Sequence, residues 1–258
     1  MDGSLINLVL SPKQDTFLAF VLGFIIVHEV SYVGGSLFLA TIDYFDLCPE
    51  SKIQKGKYPD KKTIRNCLAV LALNHLVLQP LLLPLIYKAA VLRGMRMNLP
   101  LPSLLEVITH VAASLFIYET LFYWGHRAMH HPLLYSRFHK LHHRFYVPVG
   151  FSAEYFHPVD NLISNVIPLI AGPLLLGSHM ITFWVYTIVR VAEALDSHCG
   201  YDFWWSPFRY FPFRPSAEVH DFHHSANTGN YGGMMLIWDW LCGTDAAYKR
   251  FLAKKRSN

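Results

Sequence analysis

Three groups of closely spaced histidines are candidate metal ligands. On a helix, residues three or four apart share a face, so each group can present two or three imidazoles to one point. Neutral imidazole is the commonest metal ligand in proteins. The groups comprise His126, His130 and His131; His139, His142 and His143; and His220, His223 and His224.

The histidine set is larger than one metal ion requires, because a tetrahedral zinc site takes about four ligands. His157 and His198 lie between the groups and are two further candidates. The whole set suits two metal ions that share one pocket. Imidazole binds iron, zinc, copper and nickel alike, so the ligand type does not name the metal. The alternative for the three groups is a solvated basic face or a pH sensor.

The other histidines lie alone in apolar segments, and we interpret them as hydrogen-bonded core residues. They are His28, His75, His110 and His179. A metal-bound imidazole usually donates its second N–H to a carboxylate or a carbonyl group. The carboxylates close to the histidine groups are therefore candidate partners, and they are Glu154, Asp196, Asp202 and Asp221.

The elements that must position these histidines are apolar enough to be membrane helices. Hydrophobic residues make up 53% of the 258-residue chain and charged residues 16%, against about 25% charged residues in a typical soluble domain. Four stretches reach the roughly 20 apolar residues that a membrane-spanning helix needs. They are residues 17–40, 67–90, 101–125 and 161–195. The sequence predicts an all-α integral membrane bundle rather than a soluble protein with buried helices.

The three histidine groups must reach one side of the membrane to form one site. The segment 161–195 separates the second group from the third, so we expect it to be a hairpin of two short helices, bent at Gly172-Pro173. The segments on the histidine side would then hold 17 Lys and Arg residues, and the opposite side would hold 4. Because positive charge favours cytoplasmic loops, we expect a cytosolic, histidine-rich metal-binding cap.

Composition argues against several other classes of protein. The four cysteines form no C-x-x-C pair, which speaks against a disulfide framework and against a thiolate zinc site. The net charge of +4 is modest and the basic residues are scattered, so we expect no nucleic-acid partner. No G-x-G-x-x-G motif follows a plausible strand, so electrons for redox chemistry would come from a separate protein.

The stretches "HRAMHHPLLYSRFHKLHH", "PVGFSAEYFHP", "DSHCGYDF", "HDFHH" and "GNYGGMMLIWDWLCGTD" resemble the fatty acid hydroxylase and sterol desaturase superfamily of membrane diiron oxygenases. The resemblance runs from about residue 101 to residue 248 and is closest to the C4-methylsterol monooxygenase branch. It implies that the eleven candidate histidines bind two iron ions. His157 in "FHP" and His198 in "HCGY" also match positions of this superfamily.

This resemblance implies a reaction. Such an enzyme oxidises a C4 methyl group of a sterol precursor with O2, and NAD(P)H supplies electrons through cytochrome b5 and its reductase. It would reside in the endoplasmic reticulum membrane. The alternatives are a hydroxylase or desaturase of another lipid, such as a fatty acyl chain, a sphingoid base or a different sterol position, and a catalytically inactive relative.

The same reading divides the chain into three parts. Residues 1–100 would form the N-terminal membrane helices and their loops, residues 101–250 the catalytic domain with the histidine groups, and residues 251–258 a basic tail.

Overall fold

The computed structural model describes residues 14–211, 213 and 216–257, and that part of the chain contains no β-strand. The main helices are α1 (Gln14–Phe45), α2 (Lys61–Leu92), α3 (Leu104–Met129), α4 (Pro158–Leu176), α5 (Met180–His198), α6 (Glu218–Ala226), α7 (Ile237–Cys242) and α8 (Ala246–Ser257). A one-turn helix covers Pro132–Tyr135, and short 3-10 helices cover Pro49–Ser51, His139–Arg144, Gly150–Glu154 and Pro207–Tyr210.

Helices α1 to α4 are long and apolar enough to cross a membrane, which confirms the predicted membrane bundle. Their outer faces stay exposed: in α1 the side chains of Leu22, Ile26 and Val30 are each more than half accessible. Soluble monomers rarely expose such contiguous apolar stripes. These faces therefore suit contact with lipid tails, while Phe20, Phe24 and other side chains on the inner face form the core.

Polar side chains fix where the membrane helices begin. The side chain of Asp60 accepts a hydrogen bond of 2.9 Å from the backbone N–H of Thr63 at the start of α2. Ser103 does the same for the N–H of Glu106 at the start of α3, at 3.1 Å. Such caps satisfy N–H groups that have no partner within the helix.

The predicted helical hairpin is present, but its turn is not at Gly172-Pro173. Helix α4 continues through both residues to Leu176 and is capped by Gly177, whose φ is +56° and whose N–H bonds the carbonyl of Pro173. A left-handed glycine at this position is a common helix stop. Gly172 instead permits close helix packing, because an added Cβ would lie 2.6 Å from the Cα of Ser114 in α3.

Hydrogen bonds anchor both ends of α5, the second helix of this hairpin. At the turn, the N–H of Met180 bonds the carbonyl of Arg96, in the loop between α2 and α3. Helix α5 then returns to the other end of the bundle, where Tyr201 donates to Asp43 of α1 at 2.8 Å. The histidine-bearing ends of α3 and α5 therefore lie on the same side as the 3-10 helix His139–Arg144 and α6.

Candidate metal centre

Four elements bring nine of the eleven candidate histidines together at one end of the bundle. His126 comes from the last turn of α3, and His130 directly follows that helix. The 3-10 helix His139–Arg144 supplies three side chains, α5 ends at His198, and α6 carries the third group. The nine side chains form two sets, each with ligand atoms within 4.8 Å of one another.

We call these sets the five-histidine cluster and the four-histidine cluster. The first contains His126, His130, His139, His143 and His223. The second contains His142, His198, His220 and His224.

Each group places two imidazoles in one cluster, as its spacing predicts, but the second and third groups are each divided between the two clusters. His139 and His143 enter the five-histidine cluster, whereas His142 enters the other. In α6, His223 separates from its neighbour His224 because successive side chains on a helix point about 100° apart. Each of the second and third groups therefore serves both clusters and ties them into one centre.

The nitrogen geometry points to a cation between the imidazoles. His126 Nδ1 lies 2.8 Å from the carbonyl of Tyr231, and His223 Nδ1 lies 2.6 Å from the carbonyl of Gly229. Since a carbonyl only accepts hydrogen bonds, both Nδ1 atoms must carry the proton. The two Nε2 atoms then hold lone pairs, yet they lie 3.1 Å apart. Two facing lone pairs at that distance repel unless a positive ion lies near both.

The four-histidine cluster repeats this pattern. His198 Nδ1 bonds the carbonyl of Ala194 at 2.9 Å, and His224 Nδ1 bonds that of Phe145 at 3.0 Å. Their Nε2 atoms therefore hold lone pairs that can bind a metal ion. Nε2 of His224 is buried and has no hydrogen-bond partner among the described residues, and Nε2 of His198 lies 3.0 Å from that of His220. The donor set of both clusters thus fits bound metal ions.

Burial and crowding keep three of the clustered imidazoles neutral. Loss of water contact, reinforced by neighbouring imidazoles, holds the pKa of His142, His223 and His224 well below its usual range. Burial disfavours the charged form of histidine, and so does nearby positive charge. A neutral imidazole can donate its lone pair to a metal, so these clusters are ready to bind one at neutral pH. The alternative of a solvated basic face does not hold, because these three side chains are at most 2% exposed.

The structure does not bring His131 and His157 into either cluster. His131 is exposed and His157 is half-buried. Each precedes a proline that begins a helix, and each Nδ1 accepts a hydrogen bond from a backbone N–H two residues later, at 3.4 and 3.2 Å. Both side chains therefore act here as helix caps.

One carboxylate that faces a clustered histidine was missed by the sequence analysis. Asp160 is fully buried and its Oδ2 lies 2.7 Å from Nδ1 of His139, while its Oδ1 accepts from Ser164. Such a partner fixes the tautomer and the ring orientation of a ligand. The feature of the sequence that could have identified Asp160 is its position as a single acidic residue in the first turn of an apolar helix.

Three of the four proposed carboxylates, Glu154, Asp221 and Asp202, contact other side chains. Glu154 lies 3.1 Å from His28 and 3.0 Å from His75, so it belongs to a separate ion-pair network with Glu29. Asp221 accepts from Gln54, and Asp202 from Arg209. Asp196 and Asp202 both line a small cleft with Arg209.

The four isolated histidines are hydrogen-bonded within the helix bundle, as expected. His28 and His75 belong to the network around Glu154. His110 contacts the hydroxyl of Ser178 at 2.9 Å, and His179 bonds the carbonyl of Asn98 at 3.2 Å. None of the four lies in the two clusters of the metal centre.

Two buried acids hold the loop whose carbonyls orient His126 and His223. Glu119 of α3 accepts from the backbone N–H groups of Gly233 and Met234, both at 2.9 Å. Asp239 of α7 accepts from those of Tyr231 and Gly232, at 2.8 and 2.7 Å. A buried carboxylate requires such donors. Together they position the carbonyls of residues 229 and 231 at the five-histidine cluster.

A small cavity touches both clusters. It is lined by His126 and His139 from one cluster and by His142, His198 and His220 from the other. A larger cavity of about 110 Å³ lies deeper in the bundle, between α1, α2, α4 and α5. Its wall is mostly apolar but includes His28, His75 and Glu154 of the ion-pair network. The two cavities share five lining residues, which we call the neck: Tyr118, Ala153, Asn165, Arg190 and Ala194. A mostly apolar compartment thus adjoins the metal centre.

The sequence profile described as fatty acid hydroxylase matches residues 111–244. The chain belongs to the fatty acid hydroxylase family. Two similar proteins are methylsterol monooxygenases 2-2 and 2-1 of Arabidopsis thaliana, each 32% identical over 92% of this chain and over 89% and 92% of their own lengths. A very-long-chain aldehyde decarbonylase of Oryza sativa subsp. indica is 35% identical over 89% of this chain and 86% of its own length.

No solved structure is significantly similar to the chain. The family match and the methylsterol monooxygenase relatives identify it as an oxidoreductase, and the four apolar helices agree with a multi-pass membrane protein. The matched segment contains the metal centre, since it begins within α3 and ends after α7.

Proposed function

We propose that this fatty acid hydroxylase family member is a diiron monooxygenase that oxidises a C4 methyl group of a sterol precursor. One observation carries the proposal: two histidine clusters face one small cavity, which adjoins a mostly apolar cavity within the membrane helices. A lipid could place its hydrocarbon body in the apolar compartment and its reacting carbon at the clusters. The methylsterol monooxygenase relatives favour a sterol.

The nine clustered histidines would hold the two irons, five around one and four around the other. Bound iron would supply the activation of O2 and the oxidation of an unactivated methyl group. The chain itself fixes the ligand directions: Asp160 orients His139, and the carbonyls of Tyr231 and Gly229 orient His126 and His223. The buried wall around the centre would exclude bulk water from the reacting carbon.

We further propose that NAD(P)H supplies electrons through cytochrome b5 and its reductase, and that the enzyme resides in the endoplasmic reticulum with its histidine cap in the cytosol. The excess of Lys and Arg on the cap side supports this orientation. The match over residues 111–244 lies within the proposed catalytic domain, 101–250. In this proposal His131 and His157 are not ligands.

The rice relative provides a second candidate, the conversion of a long-chain aldehyde. Its name describes an aldehyde decarbonylase, and its identity of 35% slightly exceeds that of the Arabidopsis proteins. An extended aldehyde would also place its chain in the apolar cavity. The two candidates differ in their products, so one experiment can separate them.

Purified protein loaded with iron, with cytochrome b5, its reductase and NADH, would be given a 4,4-dimethylsterol and a long-chain aldehyde in separate reactions. We expect the sterol to yield C4-oxidised products that mass spectrometry detects, and the aldehyde to remain. Conversion of the aldehyde alone to a shortened hydrocarbon would contradict the sterol proposal. The variant His142→Ala is the matched control for metal-dependent turnover.

A further inference from the structure

The neck between the two cavities carries two hydrogen-bond donors that the fold leaves unused. Nε of Arg190 and Nδ2 of Asn165 are buried, and neither has a hydrogen-bond partner among the described residues. Arg190 is 6% exposed. A buried donor without a partner is costly. Two of them at one narrow place therefore indicate a ligand that accepts hydrogen bonds.

The other atoms of both side chains are held in place, which explains why these particular donors remain. The Arg190 guanidinium lies over the ring of Tyr118, with Cζ 3.7 Å from the ring centre, and its Nη1 pairs with Glu193. The Tyr118 hydroxyl donates to Oδ1 of Asn165 at 3.3 Å. This bond orients the Asn165 amide so that Nδ2 is the atom left to donate.

The charge of the neck selects a neutral group. Glu193 already neutralises Arg190, and the side chains of both residues are almost fully buried. A carboxylate ligand would bring a second, uncompensated negative charge into this pair, and a buried unpaired charge is strongly unfavourable. A hydroxyl oxygen can accept from both donors without adding charge. The chemistry of the neck thus fits a lipid alcohol better than a fatty acid.

We propose that Arg190 and Asn165 bind the C3 hydroxyl oxygen of a sterol substrate. In a sterol, C4 is bonded to the carbon that carries this hydroxyl. Holding the oxygen at the neck would present the C4 methyl groups to the cavity of the histidine clusters and leave the remaining rings in the apolar cavity. This assignment rests on the proposed sterol function and makes the two side chains positioning residues for it.

The test compares a 4,4-dimethylsterol with its 3-deoxy counterpart. Equilibrium dissociation constants would be measured for each lipid with full-length protein purified in detergent. We expect the unaltered protein to prefer the hydroxylated sterol by about tenfold, as one buried hydrogen bond allows. Asn165→Leu removes one donor at similar volume, and Arg190→Lys keeps a charge for Glu193 but loses Nε. Both variants should reduce the preference to about threefold or less.

The control is Thr182→Val, which removes another buried, unpartnered polar atom from α5. Thr182 lines neither cavity, so this variant should keep the full preference. Equal affinity of the unaltered protein for the two lipids would overturn the assignment. A preference that survives in both neck variants would overturn it as well. Because Asn165→Leu leaves the Arg190–Glu193 pair intact, misfolding of Arg190→Lys would not obscure the result.

Failure of the sterol function would look different. If iron-loaded protein binds the hydroxylated sterol with this preference but does not oxidise it, the neck assignment stands and the proposed reaction fails. If it oxidises both sterols with the same kcat/KM and binds them equally, the reaction stands and the neck assignment fails.

Discussion

At the scale of single residues, the metal centre is defined by which imidazole nitrogen carries its proton. His126, His198, His223 and His224 each donate Nδ1–H to a backbone carbonyl. This leaves Nε2 as the free lone pair at each of these positions. Backbone carbonyls therefore select the ligand atom, and the carboxylate of Asp160 does so for His139.

Replacing a clustered histidine should remove metal, whereas replacing an excluded one should not. His223→Ala deletes an imidazole whose Nε2 lies 3.1 and 3.2 Å from those of His126 and His130. We expect it to lose at least one of two metal ions, measured by elemental analysis of purified protein. His131→Ala, at an exposed helix cap, should retain both. Full metal content in His223→Ala would contradict the assignment of the five-histidine cluster.

Residue spacing indicated eight of the nine clustered histidines, because closely spaced imidazoles on one helix have few other uses; His198 stands alone in the sequence. The distribution of the histidines over two clusters could not be predicted, because it depends on the 3-10 geometry of His139–Arg144. Asp160 and the neck donors were also missed. Their roles arise from packing between α3, α4 and α5. The sequence marks Asp160 as an acid in the first turn of an apolar helix, but its partner depends on that packing.

At the scale of elements, the centre depends on the close approach of α3 and α4. Gly172 of α4 lies directly against the backbone of Ser114 in α3. Small residues at helix interfaces allow such approach in membranes. The same two helices carry His126 and Asp160 at their cap-side ends. Their separation therefore affects where His126 lies relative to His139, which Asp160 orients.

Gly172→Ala should therefore destabilise the protein, although alanine is the better helix former. The new Cβ would lie 2.6 Å from the Ser114 Cα, which forces the backbones apart at a cost of about 1–3 kcal/mol. The thermal midpoint of the purified protein in detergent measures this. Gly34→Ala is the control, since no atom lies within 4 Å of its added Cβ. An equal midpoint for both variants would rule out tight packing at Gly172.

The membrane helices themselves could be predicted from hydropathy, because a span of lipid requires a fixed length of apolar chain. The turn of the hairpin could not. Gly172-Pro173 has the residue types of a helix break, yet Pro173 is accommodated inside α4 and the chain reverses after Gly177. Packing against the neighbouring helix determines that Gly172 lies at a helix contact and that Gly177 ends the helix.

At the scale of the whole molecule, an apolar bundle supports a polar cap at one end. The uneven distribution of Lys and Arg predicts that this cap is cytosolic. Of the residues counted, Lys13 and Arg214 lie outside the described part of the chain. A lipid substrate and a soluble domain of an electron donor would then reach the centre from different sides, through the bundle and through the cap.

Native Cys242 offers a direct test of orientation. It is exposed on α7 in the cap, while Cys67 and Cys199 are buried and Cys48 is half-buried. In sealed microsomes, whose outer face is cytosolic, a membrane-impermeant maleimide should label Cys242 without detergent. Cys242→Ser combined with Leu101→Cys moves the exposed thiol to the opposite end, where labelling should require permeabilisation. The reverse pattern would place the cap in the lumen.

The most direct test of the proposed sterol oxidation is a sterol profile by mass spectrometry, after expression in cells that lack their own C4-methylsterol oxidase. We expect 4,4-dimethylsterols to fall when the unaltered protein is expressed and to stay high with His142→Ala. An unchanged profile from correctly inserted, metal-loaded protein would contradict the sterol reaction, and the histidine centre would then act on another lipid or on none.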